Sequence, residues 1–241
     1  MNTDNVRTAF DWIKTRQPDS AKELSRIVTA CALWDVTGHY AACLIHMKQD
    51  NAWNDSVRET ARACSALADI GIIPVHSKRW LLTRQHSGSW NKDVYDTAYA
   101  LAALADMGKP CRSACSWLVD NYSAKWEHVG TTALIITALW KQNVLFDSAV
   151  YRDFINERAE WILSQRMADG GWKFISTSNI VMQALMLVGF KDKLGASVQW
   201  VLGEMNHNGS WGMRDGDVTS TALSLITVGM WMSEDRDQDK Y

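Results

Sequence analysis

The chain has 241 residues, 47% of them hydrophobic and 22% charged, which is typical of a folded globular protein and excludes a disordered or fibrous one. Its 25 basic and 27 acidic residues give a net charge of −2, so it lacks the positive excess expected of a nucleic-acid-binding protein. No apolar stretch is as long as a membrane span, the first residues do not resemble a secretory signal, and the five cysteines lie mostly among Ala and Leu. We therefore expect a cytoplasmic protein with reduced, buried cysteines.

Tryptophan is the unusual residue of this composition, since it occurs 13 times against five phenylalanines. Three segments share one order: an aromatic residue, two aliphatic residues, an amide side chain and then Gly-x-Trp. These segments span residues 80–90, 161–172 and 200–211, and weaker copies occur near 12–17, 44–53 and 117–126. Together they divide the chain into six units of about 40 residues, which leaves no room for a second domain.

Each unit predicts two helices. The stretch before the amide is apolar on one side only, which predicts an outer helix with one solvated face. In the fifth unit the apolar residues of this stretch are Tyr151, Phe154, Ile155, Ala159 and Ile162.

The stretch after each repeated Trp is rich in small residues and apolar nearly all round, which predicts an inner helix buried between neighbours. In chain order these stretches begin at Thr60, Thr97, Thr132, Gln183 and Thr221. The pattern as a whole predicts about twelve helices, no strand, one domain over residues 1–232 and a charged tail over 233–241.

The Trp segments resemble the QW repeats of the terpenoid cyclase and protein prenyltransferase superfamily, which includes squalene–hopene cyclase, over essentially the whole chain. The resemblance implies an all-α fold, an α/α toroid in which six helical hairpins form an inner and an outer ring around a central cavity. It also implies that the repeated Gln and Trp residues are structural. We expect indole and amide to satisfy each other at every turn, as in Gln85 with Trp90, Gln165 with Trp172, and the segment of Trp211.

One segment matches the family's catalytic motif in part. Class II cyclases protonate their substrate with the middle Asp of D-x-D-D-T-A, and residues 93–98 read DVYDTA, with Tyr95 in place of that Asp. A phenol is a far weaker acid than a carboxyl group. Asp93 and Asp96 are therefore interpreted either as residues that cap a helix start or, together with Asp217 and Tyr95, as the candidate catalytic group.

No metal site is predicted from the sequence. The Asp-x-Cys of the prenyltransferase zinc site is absent, and Cys111 and Cys115, one helical turn apart, are more typical of a buried helix face. No cofactor is predicted, except that Mg²⁺ would accompany a diphosphate substrate.

A binding site is predicted at the end of the toroid where the six inner helices begin. Six helix N-termini at one opening favour an anion such as a diphosphate. Arg58 and Arg62 lie four residues apart on one helix face, and His128 is a candidate proton shuttle. The candidate substrate-binding residues are Arg58, Arg62, Lys92, His128, Arg214 and Tyr99.

Two functions remain open from the sequence. The first is a terpene cyclase or prenyltransferase-like enzyme, a lyase or isomerase, acting on an isoprenoid diphosphate in an aromatic-lined cavity. The second is a non-catalytic toroid that binds a lipid, a peptide or a partner protein, including a second toroid subunit. A wide cavity lined by Tyr95, Tyr99, Phe174 and Met182 would favour the enzyme, whereas a lumen filled by side chains would favour the binding protein.

Overall fold

The computed structural model describes residues 3–147 and 149–233, and this part of the chain contains twelve α-helices. In chain order they are α1 (Thr3–Lys14), α2 (Ala21–Trp34), α3 (Tyr40–His46), α4 (Val57–Asp69), α5 (Val75–Thr83), α6 (Val94–Asp106), α7 (Arg112–Asp120), α8 (Val129–Phe146), α9 (Arg152–Ser164), α10 (Ile175–Leu187), α11 (Gly195–Gly203) and α12 (Val218–Met232). Short 3₁₀ helices cover Ala124–Trp126 and Lys191–Lys193. The predicted tail lies, from residue 234 onward, outside the described residues.

The even-numbered helices form a closed ring. Each packs against the next even-numbered helix, and α12 packs against α2. The odd-numbered helices lie outside this ring, each against the inner helices of its own or a neighbouring hairpin. The prediction of an all-α toroid with six hairpins is therefore confirmed. No helix in the described part of the chain is long and apolar enough to cross a membrane.

Small side chains bring the inner helices close together. On α6, Ala98, Ala100 and Ala103 are buried, and α12 is buried without interruption from residue 220 to residue 229. The ring closes where the Trp34 indole N–H donates to the Leu225 carbonyl at 2.9 Å. These helices are apolar nearly all round because they have protein on both flanks and behind them.

The repeated tryptophans connect each outer helix to the inner helix that follows it. The indole N–H of Trp90 donates to the Leu81 carbonyl at 2.7 Å, and its backbone N–H donates to Thr97 Oγ1 at 3.1 Å. Leu81 is the third residue from the end of α5, where helix carbonyls lack helical partners. The same indole-to-carbonyl bond occurs at this helix position in three other hairpins: Trp53 to Leu44, Trp172 to Ile162, and Trp211 to Val201.

The expected pairing of indole with amide is therefore wrong. Each of these four indoles has a single N–H, which it donates to a helix carbonyl and not to the amide of its repeat. The Gln85 amide donates instead to Cys111 Sγ at 3.1 Å, at the start of the next outer helix. The Gln85 amide thus connects two neighbouring hairpins, whereas the Gln165 amide donates to Ser164 in its own hairpin. Each of the four tryptophans closes its own hairpin.

A two-residue antiparallel pair, β1 (Gln85–His86) with β2 (Ser89–Trp90), is the exception to the expected absence of strands. Gly88 in its turn has φ +81°, and a Cβ there would lie 2.6 Å from the Ser113 carbonyl, so only glycine fits.

Cys111 and Cys115 are buried at α7, as expected of a helix face, and burial raises the pKa of Cys115 to about 12.

Candidate functional site

The candidate site lies at the mouth, by which we mean the end of the toroid where the six inner helices begin. Because an outer helix returns the chain between successive inner helices, all six inner helices begin at this end. The loop after each repeated tryptophan therefore delivers its polar residues to the mouth. The sequence DVYDTA lies at the start of α6.

A single arginine holds both aspartates of this segment. Asp93 is the N-cap of α6, and its carboxylate accepts from the Asp96 backbone N–H at 2.8 Å. Arg58, on the neighbouring helix α4, donates to Asp93 and to Asp96, each at 3.0 Å. Asn91 adds a hydrogen bond to Asp96 at 2.9 Å. The helix-start interpretation is confirmed for Asp93.

Tyr95 occupies the surface between these aspartates and α8. Its side chain is 38% exposed, and its hydroxyl shares a hydrogen bond of 2.9 Å with Thr131 Oγ1. The Arg58 guanidinium lies 5.1 Å from the centre of its ring. The residue thus faces the mouth, where it presents a phenol.

Asp217 is the N-cap residue of α12, which lies opposite α6 in the ring. Its carboxylate accepts from the Ser220 backbone N–H at 2.8 Å. Each of the three predicted acids, Asp93, Asp96 and Asp217, therefore has a structural role.

The lumen surface follows from the burial pattern of the inner helices. Each inner helix is covered by two inner neighbours and by outer helices, so residues between its ends that stay accessible to solvent face the lumen, and α12 has none from residue 220 to residue 229. On α4 these residues include Arg58, Arg62, Ser65 and Asp69, and on α6 they include Tyr95, Tyr99, Ala102 and Asp106. Both follow the spacing i, i+4, i+7, i+11, which keeps residues on one helix face.

A pocket of about 500 Å³ opens at the mouth beside α2 and α4. Its lining residues are Lys22, Ser56, Arg58, Glu59, Arg62 and Asp96. The structure thus brings together Arg58, Arg62 and Asp96 from the predicted set. It adds Lys22, which sequence reasoning missed although Lys22 and Arg26 have the same four-residue spacing as Arg58 and Arg62.

Three predicted binding residues lie away from this pocket. Lys92 and Arg214 are exposed in loops, and His128 is exposed at the start of α8, where its side chain makes no capping bond. None of them is among the residues that line the pocket.

Tyr99 lies one helical turn deeper than Tyr95. The Arg62 guanidinium lies 4.2 Å from the centre of its ring. Burial raises the pKa of the Tyr99 phenol, but the positive charges of Arg62 and Arg26 outweigh it, so that the pKa is below its ordinary value. The lumen at this depth is strongly positive.

The opposite side of the lumen is mixed in character. Half-buried residues of α8 and α10 include Leu134 and Ile180 but also Thr137 and Gln183. Of the four residues named above for a wide cavity, Met182 is fully buried in the core and Phe174 is the N-cap residue of α10, 58% exposed. The half-buried residues of the lumen are therefore basic on the side of α2 and α4 and mixed on the opposite side.

Comparison with known proteins establishes what this arrangement resembles. No protein-family model matches the sequence, and no curated protein matches it. Among solved structures, the chain is similar to the type II terpene cyclase MstE from Scytonema, described as an Asp-to-Asn variant in complex with its substrate, geranylgeranyl dihydroxybenzoate. The TM-score is 0.64 at 15% identity, and the match covers 95% of this chain and 96% of that one. The fold is terpene cyclase-like.

The terpene cyclase-like toroid has a second polar cluster at the end opposite the mouth. Lys141 forms a salt bridge of 2.7 Å with Asp106, and Thr29 donates a hydrogen bond of 2.6 Å to Asp69. Partial desolvation of its carboxylate by the surrounding protein raises the pKa of Asp69 to about 6, and Lys141 and Thr29 only partly oppose it.

We expect Asp69→Asn to stabilise the protein at pH 7 but not at pH 4. The raised pKa means that the folded state binds this proton more tightly than the unfolded state does. The stabilisation from protonation is therefore present below about pH 4 and lost as the pH rises through about 6. Because the side chain is accessible to solvent, the gain at pH 7 should be only on the order of 1 kcal/mol. Urea unfolding at both pH values measures it, and Asp106→Asn, which breaks a salt bridge, should not stabilise.

Proposed function

We propose that this chain is a terpenoid cyclase-like protein that binds an isoprenoid diphosphate in the lumen, with the diphosphate at the mouth. The observation that carries the proposal is the pocket lined by Lys22, Arg58 and Arg62. Guanidinium groups bind phosphate oxygens through paired hydrogen bonds, and a pocket in the protein screens these charges less than open solvent does. Asp93 and Asp96 on the rim are paired with Arg58 and so repel the ligand less than free carboxylates would, whereas Glu59, which also lines the pocket, is hydrogen-bonded to Asn54.

The isoprenoid part of the ligand is supported by half-buried aliphatic residues. Leu134 and Ile180 lie on the side of the ring away from α4, so an amphiphile can place its head group on one side of the lumen and its chain on the other. The substrate of MstE carries a geranylgeranyl group, which is a chain of this class. A hydrocarbon chain buried against such residues gains about 25 cal/mol for each Å² removed from water.

Two candidate functions differ in what happens after binding. In the first, a cyclase-like enzyme protonates the isoprenoid through Asp96 or Asp217. In the second, a toroid holds its ligand without converting it, and that ligand is an isoprenoid, another lipid, a peptide or a partner protein such as a second toroid subunit. The second is favoured by one observation: Asp93, Asp96 and Asp217 are all engaged in caps or ion pairs, and the acid position holds Tyr95.

Mg²⁺ that accompanies a diphosphate needs only one or two carboxylates of the protein. The two aspartates at the start of α6, Asp93 and Asp96, are held by Arg58. We propose that Lys22, Arg58 and Arg62 offset the diphosphate charge without a metal. Binding should then be unchanged by EDTA.

The proposal is tested by titrating the protein with farnesyl and geranylgeranyl diphosphate and analysing the extracts for products. A catalyst would form a product, and Asp96→Asn or Asp217→Asn would abolish it with the fold intact, since asparagine keeps an acceptor oxygen at both positions. A holding protein would bind without product, and Tyr95→Asp would be the variant to gain turnover. Failure to bind either diphosphate more tightly than the corresponding alcohol would contradict the proposal.

A further inference from the structure

The lumen has a second group of titratable side chains at its other end, which we call the distal end. Asp69 of α4 and Asp106 of α6 are the last members of the lumen-facing sets that begin with Arg58 and Tyr95 at the mouth. Arg58 and Asp69 are eleven positions apart on one helix, which is about 16 Å along the helix axis. All six inner helices end at the distal end, so the negative ends of their dipoles point there.

The two distal carboxylates are held in different ways. Asp106 forms a salt bridge with Lys141 of α8, whose ammonium lies 2.7 Å from one carboxylate oxygen and 2.9 Å from the other. Within the described part of the chain, Asp69 forms no salt bridge and accepts one hydrogen bond, of 2.6 Å, from the neutral Thr29 hydroxyl. It is also the last residue of α4, where the helix dipole disfavours a negative charge. Asp69 is therefore the carboxyl group of this pair that can carry a proton.

The surroundings of Asp69 determine how readily it does so. Desolvation raises its pKa, the charge of Lys141 and the hydrogen bond from Thr29 oppose this rise, and the charge of Asp106 adds to it. On α5, which also packs against α4, the Lys78 ammonium donates to a backbone carbonyl. The pKa of Asp69 is about 6. A carboxyl group that keeps its proton close to neutral pH, and that faces a cavity, is suited to general acid catalysis.

We propose that Asp69 is the general acid of the lumen and protonates the last double bond of an isoprenoid chain whose diphosphate lies at the mouth. This inference rests on the proposed function, and it replaces Asp96 and Asp217 as the acid of the cyclase-like enzyme. The axial distance of about 16 Å from Arg58 to Asp69 is close to the extended length of a geranylgeranyl chain. The acid then lies at the end of the lumen opposite the DVYDTA segment, where the tyrosine in the acid position is no obstacle.

The proton balance of this step is closed. The Asp69 O–H bond breaks while a C–H bond forms at the last double bond, and the carbon at the other end of that bond becomes a tertiary cation. An inner double bond of the same chain attacks this carbon and closes a ring. The final cation loses a proton to water and forms a new double bond, and water at the distal end returns a proton to the carboxylate. The reaction is an isomerisation, so it needs no co-reactant.

The first test compares Asp69→Asn with the wild type at saturating geranylgeranyl diphosphate. Asparagine keeps an oxygen that accepts from Thr29 but has no acidic proton, so turnover should fall at least about 100-fold with unchanged affinity for the ligand. Because the raised pKa of Asp69 destabilises the folded state at pH 7, the variant should also melt at a higher temperature there, which excludes misfolding as the cause. The matched control is Asp120→Asn, the same change at the exposed last residue of the outer helix α7, which should leave turnover unchanged.

Two further measurements test the position of the acid along the lumen. Farnesyl diphosphate is one isoprene unit shorter, so its last double bond does not reach Asp69 when its diphosphate is at the mouth. It should bind but turn over at least about tenfold more slowly than geranylgeranyl diphosphate, because the reacting groups are not in contact. In D₂O the product from geranylgeranyl diphosphate should carry one deuterium at the carbon that receives the proton.

The pH dependence of turnover at saturating ligand identifies the group that donates the proton. Turnover of the wild type should rise as the pH falls through about 6, because Asp69 must be protonated to react. Lys141→Met should move this midpoint to higher pH, since the lysine charge lowers the pKa of Asp69, and Asp106→Asn should move it to lower pH. Identical midpoints in the wild type and both variants would mean that the distal residues are only structural.

The outcomes distinguish this inference from the proposed function. If geranylgeranyl diphosphate binds and no product forms even below pH 6, the inference is overturned and the holding function stands. If a product forms and is abolished by Asp96→Asn but not by Asp69→Asn, the inference is overturned and the enzyme function stands. If the diphosphate does not bind, both proposals are contradicted.

Discussion

Replacing Trp90 with alanine is expected to lower the free energy of unfolding by about 3 to 5 kcal/mol, the range for a large buried aromatic residue. The indole is fully buried, and its N–H satisfies the Leu81 carbonyl in the last turn of α5. Truncation therefore creates a cavity and leaves a helix carbonyl unpaired in the same step. Urea unfolding of purified wild type and variant measures the loss.

Two further variants divide this loss into its causes. Trp90→Phe keeps most of the buried area but removes the indole donor, and should cost about 1 to 3 kcal/mol for the unpaired carbonyl. Trp126→Ala is the control, because Trp126 is only half-buried, in a 3₁₀ helix. An equal cost for Trp126→Ala and Trp90→Ala would contradict the role of the tryptophan as the closure of its hairpin.

Replacing Arg58 with methionine is expected to weaken the binding of geranylgeranyl diphosphate by about 10- to 100-fold, as for the loss of a charge-assisted contact of roughly 1.5 to 3 kcal/mol. The variant loses a cation from the pocket wall, and it also releases Asp93 and Asp96, whose negative charges then repel the diphosphate. Arg58→Lys should recover part of the affinity, since it restores the charge without the paired geometry. Isothermal titration calorimetry measures all three proteins.

The matched control for this prediction is Arg84→Met. Arg84 also pairs with an aspartate, Asp55, at 2.9 Å, but both side chains are exposed outside the pocket. Arg84→Met should change the affinity for geranylgeranyl diphosphate by less than about threefold, because exposed ion pairs contribute little and the charge of Arg84 lies farther from the ligand. A loss as large as that of Arg58→Met would mean that net charge, and not the pocket, controls binding.

The fold was predictable from the sequence because its defining contacts are local. Trp90 and Leu81 are nine residues apart, so one repeat of the sequence contains the whole hairpin closure. The apolar stretches then place each inner helix without information from other repeats. The contacts between hairpins are not local. Arg58 contacts Asp96, which lies 38 positions further along the chain, and no spacing within one helix specifies this pair.

The candidate site was predictable only in part, for two physical reasons. An inner helix such as α10 is apolar nearly all round, so its periodicity does not show which face is turned to the lumen, and Met182 was assigned to the wrong face. Lys22 and Arg26 lie in the first unit, whose Trp segment is the most degraded, and were therefore not aligned with Arg58 and Arg62. A search for charged pairs at four-residue spacing inside otherwise apolar helices would have found them.

The bond between Trp34 and Leu225 spans 191 positions of the chain, and it gives the ring a property that open helical repeats do not have. In a solenoid each repeat contacts only its neighbours, and the array can gain or lose a repeat at little cost once its ends are capped. A ring has no ends to cap, so deleting one hairpin leaves two apolar helix flanks facing water across a gap. The number of repeats therefore cannot change by one without opening the ring, and this number sets the width of the lumen. A mutation can change the side chains that line the lumen far more easily than it can change this width.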